Sequence, residues 1–217
     1  MQFYYNETSG TQNLLASKEN LLHFKTRHVK NGEILAFRNL KDDFLYEYEL
    51  SNLSKYDCSL SLKNKILKTS SKNNITLALG VIDDKILEKT LPFLNELNLY
   101  KLILVYTHFS QRNFKIDFAR VKRILINSCQ QCGRSNLMQL ESFENIEKFI
   151  NAYKNVVLVD FNGEKKEFTQ DEIYFIGAEG GFNDDERRLF TKKISLTSPN
   201  ILKSQTAIIS IAAKLLI

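Results

Sequence analysis

Three cysteines in 217 residues, Cys58, Cys129 and Cys132, cannot all pair within one chain and are too few for a disulfide scaffold. No apolar run approaches the ~20 residues that span a bilayer. The segment 1–7 lacks the basic stretch and apolar core of an export signal. Neither GxGxxG nor GxxxxGK[ST] occurs, which excludes the common dinucleotide and P-loop sites. A serine nucleophile elbow and HExxH are missing too, removing two hydrolase classes. These absences leave the expectation of a soluble, reduced, cytoplasmic protein. What is present is ordinary for a globular chain: 43% hydrophobic and 25% charged residues, which excludes general disorder. Lys and Arg outnumber Asp and Glu by 30 to 25, a modest excess compatible with a polyanionic partner but not diagnostic of one.

The first third reads as β structure. Segments 33–38, 43–50 and 56–63 are short, aromatic-rich and partly alternating, with turn-prone residues between them. A polar stretch, 68–74, reads as an inter-domain linker. Beyond it the rhythm changes. Apolar runs of strand length at 75–81, 100–106, 156–161 and 172–177 alternate with helical spacing at 83–98, 114–132, 143–153, 184–193 and 204–216. Pro92 predicts a break or kink in the first of these helices, and Gly133 closes the second in the C′ position. Continuous apolar strands among helices predict a mostly parallel sheet covered on both faces. The expected organisation is a β domain over 1–70 followed by an α/β domain over 71–217.

Three segments could carry chemistry. Gly177, Gly180 and Gly181 cluster directly after a predicted strand and before a helix capped by Asn183. Such a turn brings backbone amides to a ligand at the carboxyl end of a parallel strand, or is merely tight. A polar loop with Pro199 then leads into a helix near Ser204, whose first turn offers free amides to an anionic group. That helix, nearly wholly apolar from Ala207 on, suits the core or a subunit interface equally. Third, the stretch 101–134 carries Arg112, Arg120, Arg123 and Arg134 with a single acid, Asp117, and interleaved aromatic residues. A second basic-aromatic patch includes Lys25, Arg27 and His28. Phosphates favour such cations and unstacked bases favour the rings, though a solvated basic face has the same composition. Cys129 and Cys132 have the spacing of a redox or metal pair, but no second pair accompanies them and packing is the simpler reading.

Three motifs together resemble the RsmE family, the small-subunit ribosomal RNA uridine-N3 methyltransferases of the SPOUT superfamily. The stretch 177–186, GAEGGFNDDE, is similar to the family's G-P-E-G-G-[FL]-S-x-x-E. The stretch 130–134, QQCGR, is similar to E-Q-[CS]-x-R, and 200–207, NILKSQTA, to R-[IV]-L-R-T-E-T-[AT]. The resemblance runs from the first residues to the last. It implies an N-terminal PUA-like β-barrel that holds RNA and a C-terminal SPOUT α/β domain with a deep trefoil knot, dimerising through that knot. Knotted paths are rare exceptions to the connection rules and are not read from pattern.

The implied cofactor is S-adenosyl-L-methionine, with no metal. Its implied contacts are Phe161, Ile176, Gly177, Glu179, Gly180, Gly181, Leu196, Thr197, Ile201, Leu202 and Thr206. Ile201 and Leu202 would sandwich the adenine, and Glu179 would hold loop amides. Arg134, acting across the dimer, and Lys203 are the implied catalytic cations. Lys25, Arg27, His28, Arg112, Arg120 and Arg123 are the implied RNA contacts. The partners would be small-subunit RNA or the 30S particle and a second copy of the chain. Several positions depart from the pattern: Ala178 replaces proline, Asn200 and Lys203 replace arginines, Gln130 and Gln205 replace acids, and Phe109 falls where the family has an arginine. A SPOUT enzyme of another RNA site and a largely non-catalytic ribosome-assembly factor therefore stay open.

Overall fold

In the computed structural model, which describes residues 1–68, 73–111 and 115–217, the chain divides into two units. One is Met1–Ser71 with Ile126–Leu137; the other is Lys72–Leu125 with Met138–Ile217. Of the expected linker, 69–72 lie outside the described residues. The first unit is a five-stranded sheet of β1 (Tyr4–Tyr5), β2 (Asn13–Leu15), β3 (Ile34–Arg38), β4 (Phe44–Ser51) and β5 (Ser59–Leu67), in the order β1-β3-β4-β5-β2. Only β1 and β3 pair in parallel. Tyr46, Tyr48 and Leu50 alternate inward along β4, as period two requires. Phe37 meets Tyr48 edge-on at 5.4 Å between ring centroids. Strand β5 starts later than the expected 56–63 because Ser54 and Asp57 close a turn before it (Ser54 N to Asp57 O, 2.8 Å).

A first third read wholly as β is corrected by α1 (Lys18–Thr26). Ser17 caps it, its hydroxyl accepting the Asn20 amide at 3.1 Å, while Asn20 Oδ1 accepts the Ser17 amide at 3.0 Å. Asn at the third helical position, in place of the usual Glu or Gln, hid this capping box. The residues Lys25, Arg27 and His28 lie at the exposed end of α1, and His28 adopts the left-handed backbone (φ 54°).

Helix α3 (Phe118–Cys132) is shorter than the expected 114–132. Asp117 ends the preceding loop, its carboxylate accepting the Arg120 amide at 3.0 Å. At the other end Gly133 has φ +89° and its amide reaches Cys129 O at 2.9 Å, the cap the sequence predicts. Cys129 is buried with Phe3, Leu40 and Ile126, as a packing residue would be, whereas Cys132 is exposed, and no disulfide joins the three cysteines. Burial pushes the Cys58 thiol up to about 11, with the charge of Asp57 adding to it. Iodoacetamide at pH 8 is therefore expected to modify exposed Cys132 alone in the native protein, which intact mass reads as a single adduct.

The second unit is a six-stranded parallel sheet in the order β11-β9-β10-β6-β7-β8. Its elements are β6 (Thr76–Gly80), α2 (Asp84–Glu96), β7 (Lys101–Val105), β8 (Gln139–Phe143), α4 (Ile146–Ala152), β9 (Val156–Glu164), β10 (Ile173–Ile176), α5 (Asp184–Arg188), β11 (Lys193–Ile194) and α6 (Ser204–Leu216). Leu77, Ala78 and Leu79 of β6 are all fully buried, as two-sided cover demands. On one face Ala78, Ile103, Phe149, Phe175, Phe182 and Phe190 form the core. Helices α2 and α6 pack together, with α6 also on β6 and β10.

Two expectations need correction here. Helix α2 continues past Pro92 rather than breaking there, and 189–193 are not helical because α5 closes at Leu189. The core-or-interface alternative for α6 resolves toward the core for Ala207, Ile208, Ile211, Ala212 and Leu215, all buried. Among the described residues no helix is long and apolar enough to cross a membrane. Phe175 contacts three rings, Phe149, Phe182 and Phe190. Phe175→Ala is expected to cost about 3–5 kcal/mol, measured as an earlier urea transition of the second unit.

Candidate cofactor cavity

All six strands of the second unit are parallel, so their carboxyl ends share one edge, where open α/β sheets place ligands. Three segments emerge there: the end of β9, the turn after β10, and the loop leading into α6. The turn is closed by the Gly181 amide donating to Ala178 O at 2.8 Å. Gly181 sits at φ +71°, a region that other L-residues enter at a cost of ~1–2 kcal/mol. Gly180 is required for a different reason. A Cβ built there would stand 2.8 Å from the Cβ and Cγ of Phe109. Phe109 thus fills the space a side chain would need, while the Gly180 backbone lines the cavity that these segments enclose.

Carboxylates lock the neighbouring loops. Glu179 Oε1 accepts the Asp83 amide at 3.2 Å, tying the turn to the start of α2. Glu186 forms a capping box with Asn183 and also accepts the His108 amide at 2.6 Å. That second bond holds the loop carrying Phe109. Asp83 caps α2 by accepting the Lys85 and Ile86 amides.

These segments enclose a cavity of about 780 Å³. Nine of the eleven expected cofactor residues line it: Phe161 from β9; Ile176, Gly177, Glu179, Gly180 and Gly181 from the turn; Leu196, Ile201 and Leu202 from the last loop. Thr197 and Thr206 are exposed and do not line it. Two large apolar side chains on its wall are open to solvent, Phe161 at 69% and Ile201 at 80% of full exposure. Lys203 lines the cavity at the N-cap of α6 and makes no side-chain cap bond.

Sequence reading missed two charged residues of this wall. Asp160 and Arg187 both line the cavity and pair at 2.9 Å, Arg187 Nε donating to Asp160 Oδ2. The signal was Asp160 itself, a carboxylate directly after the apolar run 156–159. Burial works against the charge on Arg187, but its bonds to Asp160 and Asp184 outweigh that and raise its pKa.

The other expected cations fare unequally. Arg134 belongs to the first unit and is buried, its Nε and Nη2 donating to Asn136 Oδ1 at 3.1 and 3.0 Å. Desolvation lowers its pKa. Arg120 is exposed but forks onto Glu88, Nη2 to Oε2 at 2.8 Å. Arg123 is exposed, and Arg112 lies outside the described residues. A second cavity of about 630 Å³ carries Glu144, Glu147, Asp185 and Glu186, the wrong sign for phosphate. Among the described residues no group of three or more His, Cys, Asp or Glu is placed to hold a metal.

The family model for an RNA methyltransferase domain matches residues 59–216. A Helicobacter pylori protein named ribosomal RNA small subunit methyltransferase E is 40% identical, covering 98% of each chain. A Rickettsia conorii protein of the same name is 27% identical over 92% of this chain and 87% of its own. The fold is similar to a crystal structure of ribosomal RNA small subunit methyltransferase E from Neisseria gonorrhoeae bound to S-adenosyl methionine. That match has TM-score 0.81 and 19% identity, covering 98% of this chain and 95% of the other. The chain is thus an RNA methyltransferase by class. It belongs to the ribosomal RNA small subunit methyltransferase E family.

The contact between Gly180 and Phe109 has a measurable consequence. Gly180→Ala is expected to destabilise the second unit, because the Cβ and Cγ of Phe109 cannot swing aside as a side-chain tip would. Adding Phe109→Ala should recover only the part of that loss due to Cγ and the ring, since the Cβ of residue 109 stays; a double-mutant cycle on urea midpoints would read that interaction energy.

Proposed function

We propose that this chain binds S-adenosyl-L-methionine in the 780 Å³ cavity and methylates N3 of a uridine in 16S ribosomal RNA, acting in the cytoplasm as a homodimer. The observation that carries the reading is the apolar wall of Phe161 and Ile201, left open at the carboxyl edge of a parallel sheet. A purine ring would cover those surfaces, and the volume lies within the roughly 300–1,000 Å³ of small-molecule sites. The names of the Helicobacter and Rickettsia relatives and the ligand of the Neisseria structure support the same cofactor and substrate class.

When bound, the cofactor supplies a methyl group on a positively charged sulfur, electrophilic without a metal. The residues of the chain supply the rest. The closed turn at 178–181 offers backbone groups fixed in advance, and Ile201 with Leu202 offers a surface for the adenine. Uracil N3 must lose its proton, and negative charge then builds on O2 and O4. Lys203 is the cation suited to stabilise it, since it lines the cavity and its side chain makes no cap bond. Arg134 is the weaker choice, being buried against Asn136. Lys25, Arg27, His28 and Arg123 are exposed and suit phosphate contact. We extend the reading to a PUA-like role for the first unit, residues 1–70 in the chain, and to a methyltransferase domain over 71–217 threaded as a trefoil knot. Half-buried Ile209, Ala213 and Leu216 on α6 are left for the partner copy.

Transfer of a tritiated methyl group to unmodified small-subunit particles, followed by nucleoside mass spectrometry, tests the reaction. The expected product is 3-methyluridine; label on another atom overturns the N3 assignment, and cofactor binding without transfer favours the assembly-factor reading. Lys203→Ala should lower kcat by roughly 10²-fold while leaving cofactor affinity nearly unchanged.

A further inference from the structure

Arg187 and Asp160 are the two members of an ion pair on the cavity wall, and each keeps an unused atom. Arg187 spends Nε on Asp160 Oδ2 at 2.9 Å and Nη1 on Asp184 Oδ1 at 3.2 Å. Its Nη2 has no hydrogen-bond partner among the described residues, and neither does Asp160 Oδ1. The two anchors are unequal. The Asp160 side chain is 5% exposed and that of Asp184 is 84% exposed, so the buried carboxylate fixes the guanidinium and the exposed one adds little. Arg187 itself is 30% exposed on the cavity wall, so its guanidinium is partly open to a ligand there.

We infer that this pair is the receptor for the zwitterionic amino-acid tail of the cofactor, Arg187 Nη2 taking the α-carboxylate and Asp160 Oδ1 the α-ammonium. The inference rests on the cofactor reading above and deepens it. A neutral ion pair facing a neutral zwitterion, with charges opposed at both ends, adds no net charge to a partly buried site. The alternative cations on the wall are Lys165 and Lys203. Both are exposed on loops, where a flexible ammonium is not held in place before binding. Arg187 is held in place before binding, so little ordering is lost when the carboxylate arrives. Asp160 also acts as a positioning residue, since without it the guanidinium keeps only the solvent-exposed anchor.

Two probes separate the tail from the nucleoside: S-adenosylhomocysteine, which carries the amino-acid tail, and 5′-methylthioadenosine, which lacks it. Calorimetry on the full chain with each probe reads the difference. Arg187→Met is expected to weaken S-adenosylhomocysteine by about 10- to 100-fold and leave 5′-methylthioadenosine unchanged. Arg187→Lys, which keeps the charge without the planar guanidinium, should fall between wild type and Met. Asp160→Asn should also weaken only the tailed probe. If Arg187→Met and Arg187→Lys bind the tailed probe as wild type does, or lose both probes equally, the inference fails while the cofactor reading stands. If the wild-type chain binds neither probe, the cofactor reading fails and takes this one with it.

Discussion

The functional edge of this protein depends on one backbone hydrogen bond, from the Gly181 amide to Ala178 O, and on the packing that keeps it closed. Below the turn, Phe182 leads into the aromatic core against Phe175, 4.9 Å between centroids. Beside it, Phe109 fills the space a side chain at 180 would need, and Glu179 ties the turn to the first residues of α2. A loop fixed from three directions does not have to be ordered by its ligand. Alanine in place of the family's proline at 178 costs little under these conditions, because tertiary contacts already restrain the backbone that proline would stiffen.

Much of the second unit was legible in the sequence because its periods are clean. Ser204–Leu216 matches α6 residue for residue, and the four apolar runs match β6, β7, β9 and β10 to within a few residues. Where period failed, composition was the cause. Strand β8 (Gln139–Phe143) is an edge strand of mixed polarity, Gln-Leu-Glu-Ser-Phe, and carries no apolar run to announce it. Helix α1 was masked by an asparagine in the capping box. The glycine cluster was visible, and its place after a strand was right, but the neighbour that demands Gly180 comes from 71 residues earlier in the chain. Asp160 stood in view after its apolar run, but its pairing with Arg187, 27 residues away, was hidden for the same reason.

Charge was the least legible quantity. A run of cations in a sequence looks uniformly available to a polyanion, yet folding spends some of them. Arg120 is committed to Glu88, and Arg134 is buried against Asn136. The exposed residues Lys25, Arg27, His28 and Arg123 remain. A one-dimensional count therefore overstates the electrostatic surface, and the surplus is internal structure.

The seat of Phe109 on Gly180 gives this lineage a direction in which it can drift. While residue 180 stays glycine, residue 109 is free to shrink, lengthen or gain charge, because nothing at 180 opposes it. The reverse route is closed: any side chain acquired at 180 first meets the aromatic ring's own base. The ring is not the whole obstacle, because the Cβ of residue 109 alone stands 2.8 Å from a Cβ placed there. Glycine at 180 therefore answers to the close approach of two backbones, whichever side chain stands at 109.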